Sequence, residues 1–498
     1  MPAALRPGGL LVPRASAAKL APFRAKLPIP RVIGAADFRL PITEAEIQIL
    51  PGRKTEMWAY GGDFPGPTVR RPTGTVTTAT FANRLPKSAG DLTVHLHGGH
   101  NRSSEDGQPG GLTASLPRSL YCDISERLAP SESGNDLLIA PGAERTYTYE
   151  MVEDGAPERS ALHWYHDHRL ERTGRNVWRG LAGMWISDDA FDTSLPLPRG
   201  DRDIPLMISD RSFDRHNQLT NPFSRFNHAP DDGVVGKYVL VNGAVLPHHR
   251  VRACRYRLRV LNGSNFRSYN LAMKGTTITQ IGTESGLIPR PLRRRQILIG
   301  PGERVDLIVD FAGAQHRDVV LRSVGRSGGP DRLGSTPYVG PLMQFRVGKP
   351  VVDATSIPTE LRPLPDWVAG APEQPQHTWR VTIGGGIVPS WQINDRSFDP
   401  AFVEVKPRLG TVETWAIRNE TKVAHLMHPH HTDWYMIARN GKPPGPHEAC
   451  LKETFFMDPG EEIVIAGRFS DYTGKYVMHC HMLDHEDHGL MSQFETVA

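Results

Sequence analysis

The chain has 498 residues, more than one ordinary hydrophobic core can organise, so about three domains are expected. It is 39% hydrophobic and 22% charged with 48 Gly and 43 Pro, which excludes long disorder and coiled coil, and no apolar run approaches the roughly 18 residues that a membrane span needs. The formal charge of +4, from 58 basic and 54 acidic residues, gives no electrostatic reason to expect nucleic acid or anionic lipid as a partner.

In chain order, residues 1–29 read as a tail. Its longest apolar stretch, 10–12, falls short of the roughly 7–15 residues of a secretory signal, so no such signal is read and the cell location stays open. From residue 30 onward, short β-branched and aromatic runs separated by Gly, Pro and Asn recur, as in RTYTYEMV, YRLRVLNG, RVDLIVDF, ETWAIRNE and EEIVIAGRF. Helical periodicity is scarce, and the pattern predicts an all-β chain of antiparallel sandwiches.

Three stretches share one order of residues. A strand run ends in Asn (Asn83, Asn262, Asn419), and roughly forty to sixty residues later a Pro-Gly turn with an acidic residue opens another strand. This reads as an internal triplication. Pro-rich segments at 191–203 and 348–376 read as linkers, leaving units at 30–190, 204–347 and 377–498. The basic run 293–295 lacks interleaved aromatics and reads as a solvated face.

Fourteen of the 21 His lie in four windows: VHLHGGH (His95, His97, His100), HWYHDH (His163, His166, His168), HLMHPHH (His425, His428, His430, His431) and MHCHMLDHEDH (His479, His481, His485, His488). Each window holds an H-x-H in or beside a β-type run, where residues two apart share a face. Two such pairs come from the first unit and two from the third, so the units are expected to meet at a shared metal site. The middle unit has no H-x-H. Imidazole alone suits Zn, Cu, Fe or Ni. The fourth window narrows the choice: Cys480 points away from His479 and His481, and with His425 and His485 it could form the Cys-His-His set of a blue-copper centre. There Cys480 would be a deprotonated ligand, not a nucleophile. Cys122, Cys254 and Cys450 remain, enough for one disulfide at most, with the pairing open.

These four segments together resemble the signature motifs of the three-domain multicopper oxidases. HLHGG, WYHDH and HCHMLDHEDH are most similar to the versions in the bilirubin oxidase and spore-coat laccase branch. The resemblance implies three consecutive cupredoxin-like Greek-key β-sandwich domains and four coppers per chain. Type 1 copper falls to His425, Cys480 and His485; type 2 to His95 and His428; the type 3 pair to His97, His166, His168, His430, His479 and His481. Domain 2, lacking ligands, would brace the other two. Where relatives carry an axial Met this chain has Leu490; Met491 follows, but a one-residue slip would reverse the strand faces, which favours Leu490. Proton supply is implied for Glu486 and Asp106, whereas Asp487 and Glu105 read as surface charges. His100, His431 and His488 lie beyond ligand positions, His163 supports from behind, and Trp164 and Tyr165 read as packing.

The implied reaction is laccase-like: one-electron oxidation of phenolic, aromatic-amine or bilirubin-like donors coupled to reduction of O2 to two waters, by a monomer. Alternatives are a cuprous-ion oxidase, which would want a Met-rich segment that the 13 dispersed Met do not supply, and a non-catalytic copper-binding coat protein.

Overall fold

The computed structural model of the chain describes residues 21–110, 137–223, 233–326, 337–385 and 390–498; Cys122 lies outside them. Among these residues the strands form three pairs of facing sheets, consistent with three cupredoxin-like β-sandwiches in tandem. The first pair has five strands (order Val32–Ile33, Gly66–Pro72, Ala182–Asp188, Leu162–Asp167, Val94–His97) and four strands. The second has seven and five, the third six and four. Each encloses its own apolar core, around Phe81 and Trp185, around Leu258 and Phe345, and around Trp415 and Phe494. No helix among the described residues is long and apolar enough to cross a membrane.

The threefold pattern in the sequence is a threefold hydrogen-bond pattern in the fold. Each strand-ending Asn is buried and receives, on its main-chain carbonyl, the N–H of the glycine of its own Pro-Gly turn: Gly142 to Asn83 (2.8 Å), Gly302 to Asn262 (2.8 Å) and Gly460 to Asn419 (2.9 Å). The Asn N–H then donates to the next residue's carbonyl, on Ala143, Glu303 or Glu461. The Asn side chain donates into the loop it closes, as Asn83 does to Ile139, Asn262 to Ile299 and Asn419 to Val423. All three glycines sit at positive φ (89°, 82°, 76°), where a Cβ is disfavoured. A buried Asn thus ties one strand end to the start of its partner, and the tie is made three times.

Residues 21–29, expected as part of a tail, lie against the middle unit. The Leu27 N–H donates to the His248 carbonyl at 2.8 Å, and its side chain joins that unit's core. Cys254 and Cys450 are buried free thiols, as is Cys480.

Candidate metal centre

In the first unit the strand Val94–His97 pairs antiparallel with Leu162–Asp167, setting His95 opposite His166 and His97 opposite Trp164. In the third, His425–Pro429 pairs with Gly474–Cys480, setting His428 opposite His479 and Met427 opposite Cys480. Strand alternation therefore delivers one imidazole face from each unit, and the two faces meet. The Nε2 atoms of His168 and His479 are 3.2 Å apart, those of His430 and His479 3.1 Å, and His481 Nε2 lies 3.1 Å from His97 Nδ1. The His97 and His428 rings stack at 3.9 Å and those of His95 and His430 at 4.1 Å. All eight are buried.

The second nitrogen of most of these rings is already engaged. Nδ1–H donates to the carbonyls of Asp106 (from His95), Asp167 (from His166), Glu453 (from His428) and Cys480 (from His479) and to the carboxylate of Asp106 (from His430), and Glu486 Oε2 lies 3.0 Å from His479 Nδ1. Such partners fix the tautomer and aim the Nε2 lone pair inward. His97 is turned the other way: its Nε2 lies 2.9 Å from Glu453 Oε1, leaving Nδ1 toward the centre. Burial, reinforced by the neighbouring imidazoles, holds His95, His428, His430 and His481 far below the ordinary histidine pKa, and burial puts His166 at about 3. Neutral imidazoles whose Nε2 atoms at His95, His166 and His428 have no protein partner are a metal-ready donor set. Donor triplets His95/His428/His430, His95/His97/His166 and His168/His430/His479 each lie within 4.8 Å of one another.

A fourth triplet, His425, Cys480 and His485, sits on the other side of the same strand. Cys480 Sγ is 3.6 Å from His485 Nδ1, and the two Nδ1 atoms are 3.1 Å apart. Thr421 Oγ1 lies 2.9 Å from His425 Nε2, and Trp391 packs on both rings at 4.5 and 5.0 Å. Burial pushes the Cys480 thiol up to about 12, so a cation is needed to hold it as thiolate. Sulfur with two imidazoles in a buried pocket suits copper. Leu490 belongs to the same apolar cluster as Cys480, whereas Met491, opposite His479, joins a separate one with Leu170 and Val477.

The two carboxylates expected to supply protons are both buried. Asp106 Oδ2 is 2.8 Å from His430 Nδ1, and burial drives its pKa well up. Glu486 accepts from Thr173 Oγ1 at 2.6 Å, and its Oε2 lies 3.0 Å from His479 Nδ1.

Asp487 is not the surface charge that was expected. It accepts the backbone N–H groups of Thr173 (2.9 Å) and Gly174 (2.8 Å), tying the third unit to the short helix Thr173–Arg179 of the first, because unpaired N–H groups at a helix start attract an anion. Glu105 is half-exposed and accepts from the Thr148 N–H. His163 is buried with Nε2 3.0 Å from Ser187 Oγ, and His488 is half-buried against the Asp484 carbonyl.

Two groups carry no signal in the local sequence, and a third, His100, was visible there only as a histidine beyond the ligand positions. Glu453 bridges His97 to Arg304; the Arg304 guanidinium comes from the middle unit, donates to the Leu162 carbonyl of the first at 2.8 Å and contacts Glu453 of the third. His100 donates Nδ1–H to the His431 carbonyl and Nε2–H to Asp471 at 3.1 Å, clasping the first unit to the third. Beside that clasp a cleft of about 30 Å³, room for a water, reaches His95 and His428 and is lined by Glu158.

Profiles of the multicopper oxidase family match residues 41–119, 214–328 and 372–498. A laccase of Bacillus stratosphericus is 31% identical over 494 residues, 89% of this chain and 91% of that protein. A bilirubin oxidase of Albifimbria verrucaria is 28% identical over 89% of this chain and 73% of that protein. The crystal structure of a laccase from Pediococcus acidilactici superposes with a TM-score of 0.79 at 27% identity, over 96% of this chain and 95% of that one.

Proposed function

The chain belongs to the multicopper oxidase family, and from that premise we propose that it works as a laccase-like oxidase in which His425, Cys480 and His485 hold type 1 copper, His95 and His428 hold type 2, and His97, His166, His168, His430, His479 and His481 hold the type 3 pair. Copper held by these residues would supply one-electron redox chemistry, coupling four one-electron oxidations of phenolic, aromatic-amine or bilirubin-like donors to the reduction of O2 to two waters.

The observation that carries this reading is the placement of Cys480 between two residues of the other site. Its sulfur faces His425 and His485, while the flanking His479 and His481 face first-unit histidines at 3.1–3.2 Å. The backbone from 479 to 481 is thus a covalent bridge between the two donor sets, which mere metal storage would not require. Leu490, which shares an apolar cluster with Cys480, would be the residue nearest the open side of the sulfur site in place of a methionine and would offer no thioether. Asp106, lifted by burial and touching His430, holds a proton at the shared cavity; Glu486, which despite burial His479 and His168 hold well below the usual carboxylate range, orients its ligand between His479 and Thr173 and would relay protons on the opposite side as the accepting carboxylate. Because both donor sets lie within one chain, a monomer suffices.

The test is a copper count per chain together with oxygen uptake on a dye donor. About four coppers and steady O2 consumption are expected; copper-loaded protein that takes up no oxygen would leave only binding.

A further inference from the structure

The basic run 293–295 does not form the uniformly solvated face that its sequence suggests. Residues 293 and 294 end the edge strand Gly286–Arg294, and β-alternation leaves Arg293 and Arg295 exposed while Arg294 turns into a cavity of about 310 Å³ between the middle and third units. That volume is at the lower end for small-molecule sites.

Its other cations are already matched. Arg326 pairs with Asp458, Arg439 with Glu448 and Glu461, and Lys452 with Glu284 and Glu303. The Arg294 guanidinium has no hydrogen bond or ion pair among the described residues; Glu448 and His447 act on it only at longer range. Half-burying a guanidinium without a partner is unfavourable, and burial lowers its pKa. The side chains of Ile297, Ile299 and Val305 turn into the middle unit's own core, so the apolar surface offered to the cavity is that of Leu298 and Phe456, with one ring face of Phe456 covered by Arg326 at 5.3 Å. A planar fork of donors next to an apolar wall matches a carboxylate joined to an apolar body.

We propose that this inter-domain cavity binds a small aromatic carboxylate, its carboxylate bidentate on Arg294 and its ring against Leu298 and Phe456. The site is separate from the metal centre and does not depend on the oxidase reading.

Calorimetric titration of the copper-loaded protein with benzoate tests it. One saturable site per chain is expected, weakened about tenfold or more by Arg294→Ala, since a charged hydrogen-bonding partner is lost. Arg294→Lys should retain part of the affinity, and Arg295→Ala should leave it unchanged; both arginine-to-alanine variants should keep the wild-type copper spectrum. Absence of saturable binding, equal binding by wild type and Arg294→Ala, or binding of inorganic phosphate in place of benzoate would overturn the proposal.

Discussion

At the scale of single residues, chemistry follows from which atom is left without a partner. Cys480 in the metal-free protein is a thiol, its pKa pushed to about 12 by burial. Copper uptake at neutral pH should therefore release a proton that Cys480→Ser does not release; dye-monitored metal titration measures it, and the same substitution should abolish the blue absorbance and turnover together. Leu490→Met adds a weak sulfur donor beside Cys480, so the type 1 potential should fall in a redox titration, whereas an unchanged potential would mean that residue 490 is not axial. Glu453 belongs to a different class: it is the carboxylate that contacts the Arg304 guanidinium, and Glu453→Gln leaves a buried charge unmatched. A loss of about 3–5 kcal/mol in denaturant unfolding is expected. The histidines were legible in the sequence because H-x-H is a local pattern that strand geometry converts directly into a shared face. Glu453 and Arg304 were not, since K-E-T and P-G-E-R look like ordinary strand borders until the fold brings Glu453 2.9 Å from His97 and into contact with Arg304.

At the scale of elements, the repeated Asn and Pro-Gly tie does double duty in the middle unit. Gly302 needs φ near 82°, and a Cβ there would come within 2.8 Å of the His481 ring. Gly302→Ala should consequently destabilise the fold by about 1 kcal/mol or more through backbone strain and also push His481 out of place. Calorimetry reads the first effect and a lowered copper count the second; Gly142→Ala, with nothing near its Cβ, should show only the first. The strand-rich pattern and the three Asn repeats were readable from residue order because each is a short-range device. What the pattern could not reveal is that the unit without an H-x-H presses its own turn against His481 of the histidine cluster.

At the scale of the molecule, the first and third units are held together by pairs that cross between them, and one pair titrates. His100 donates from both ring nitrogens to acceptors of the third unit, which requires the imidazolium; despite burial, Asp471 lifts its pKa to about 9. The groups facing it are Asp471, Glu158, Glu153 and the neutral His431. A folded-state pKa above the unfolded value near 6.5 means stabilisation that is complete below about pH 6.5 and lost as pH rises through about 9, on the order of 3 kcal/mol in all. Thermal unfolding should show this alkaline decline in the wild type and a flatter profile in His100→Asn.

The shared cavity joins His168 to His479, 311 positions apart, and His97 to His481, 384 apart. During translation at about 5–20 residues per second, the half contributed by the first sandwich waits from about 15 s to over a minute before its complement leaves the ribosome. Through that interval the nascent chain exposes unprotonated imidazoles able to capture stray ions. An ion captured in that interval would meet only the first sandwich's share of the donors, because the complementary wall does not yet exist.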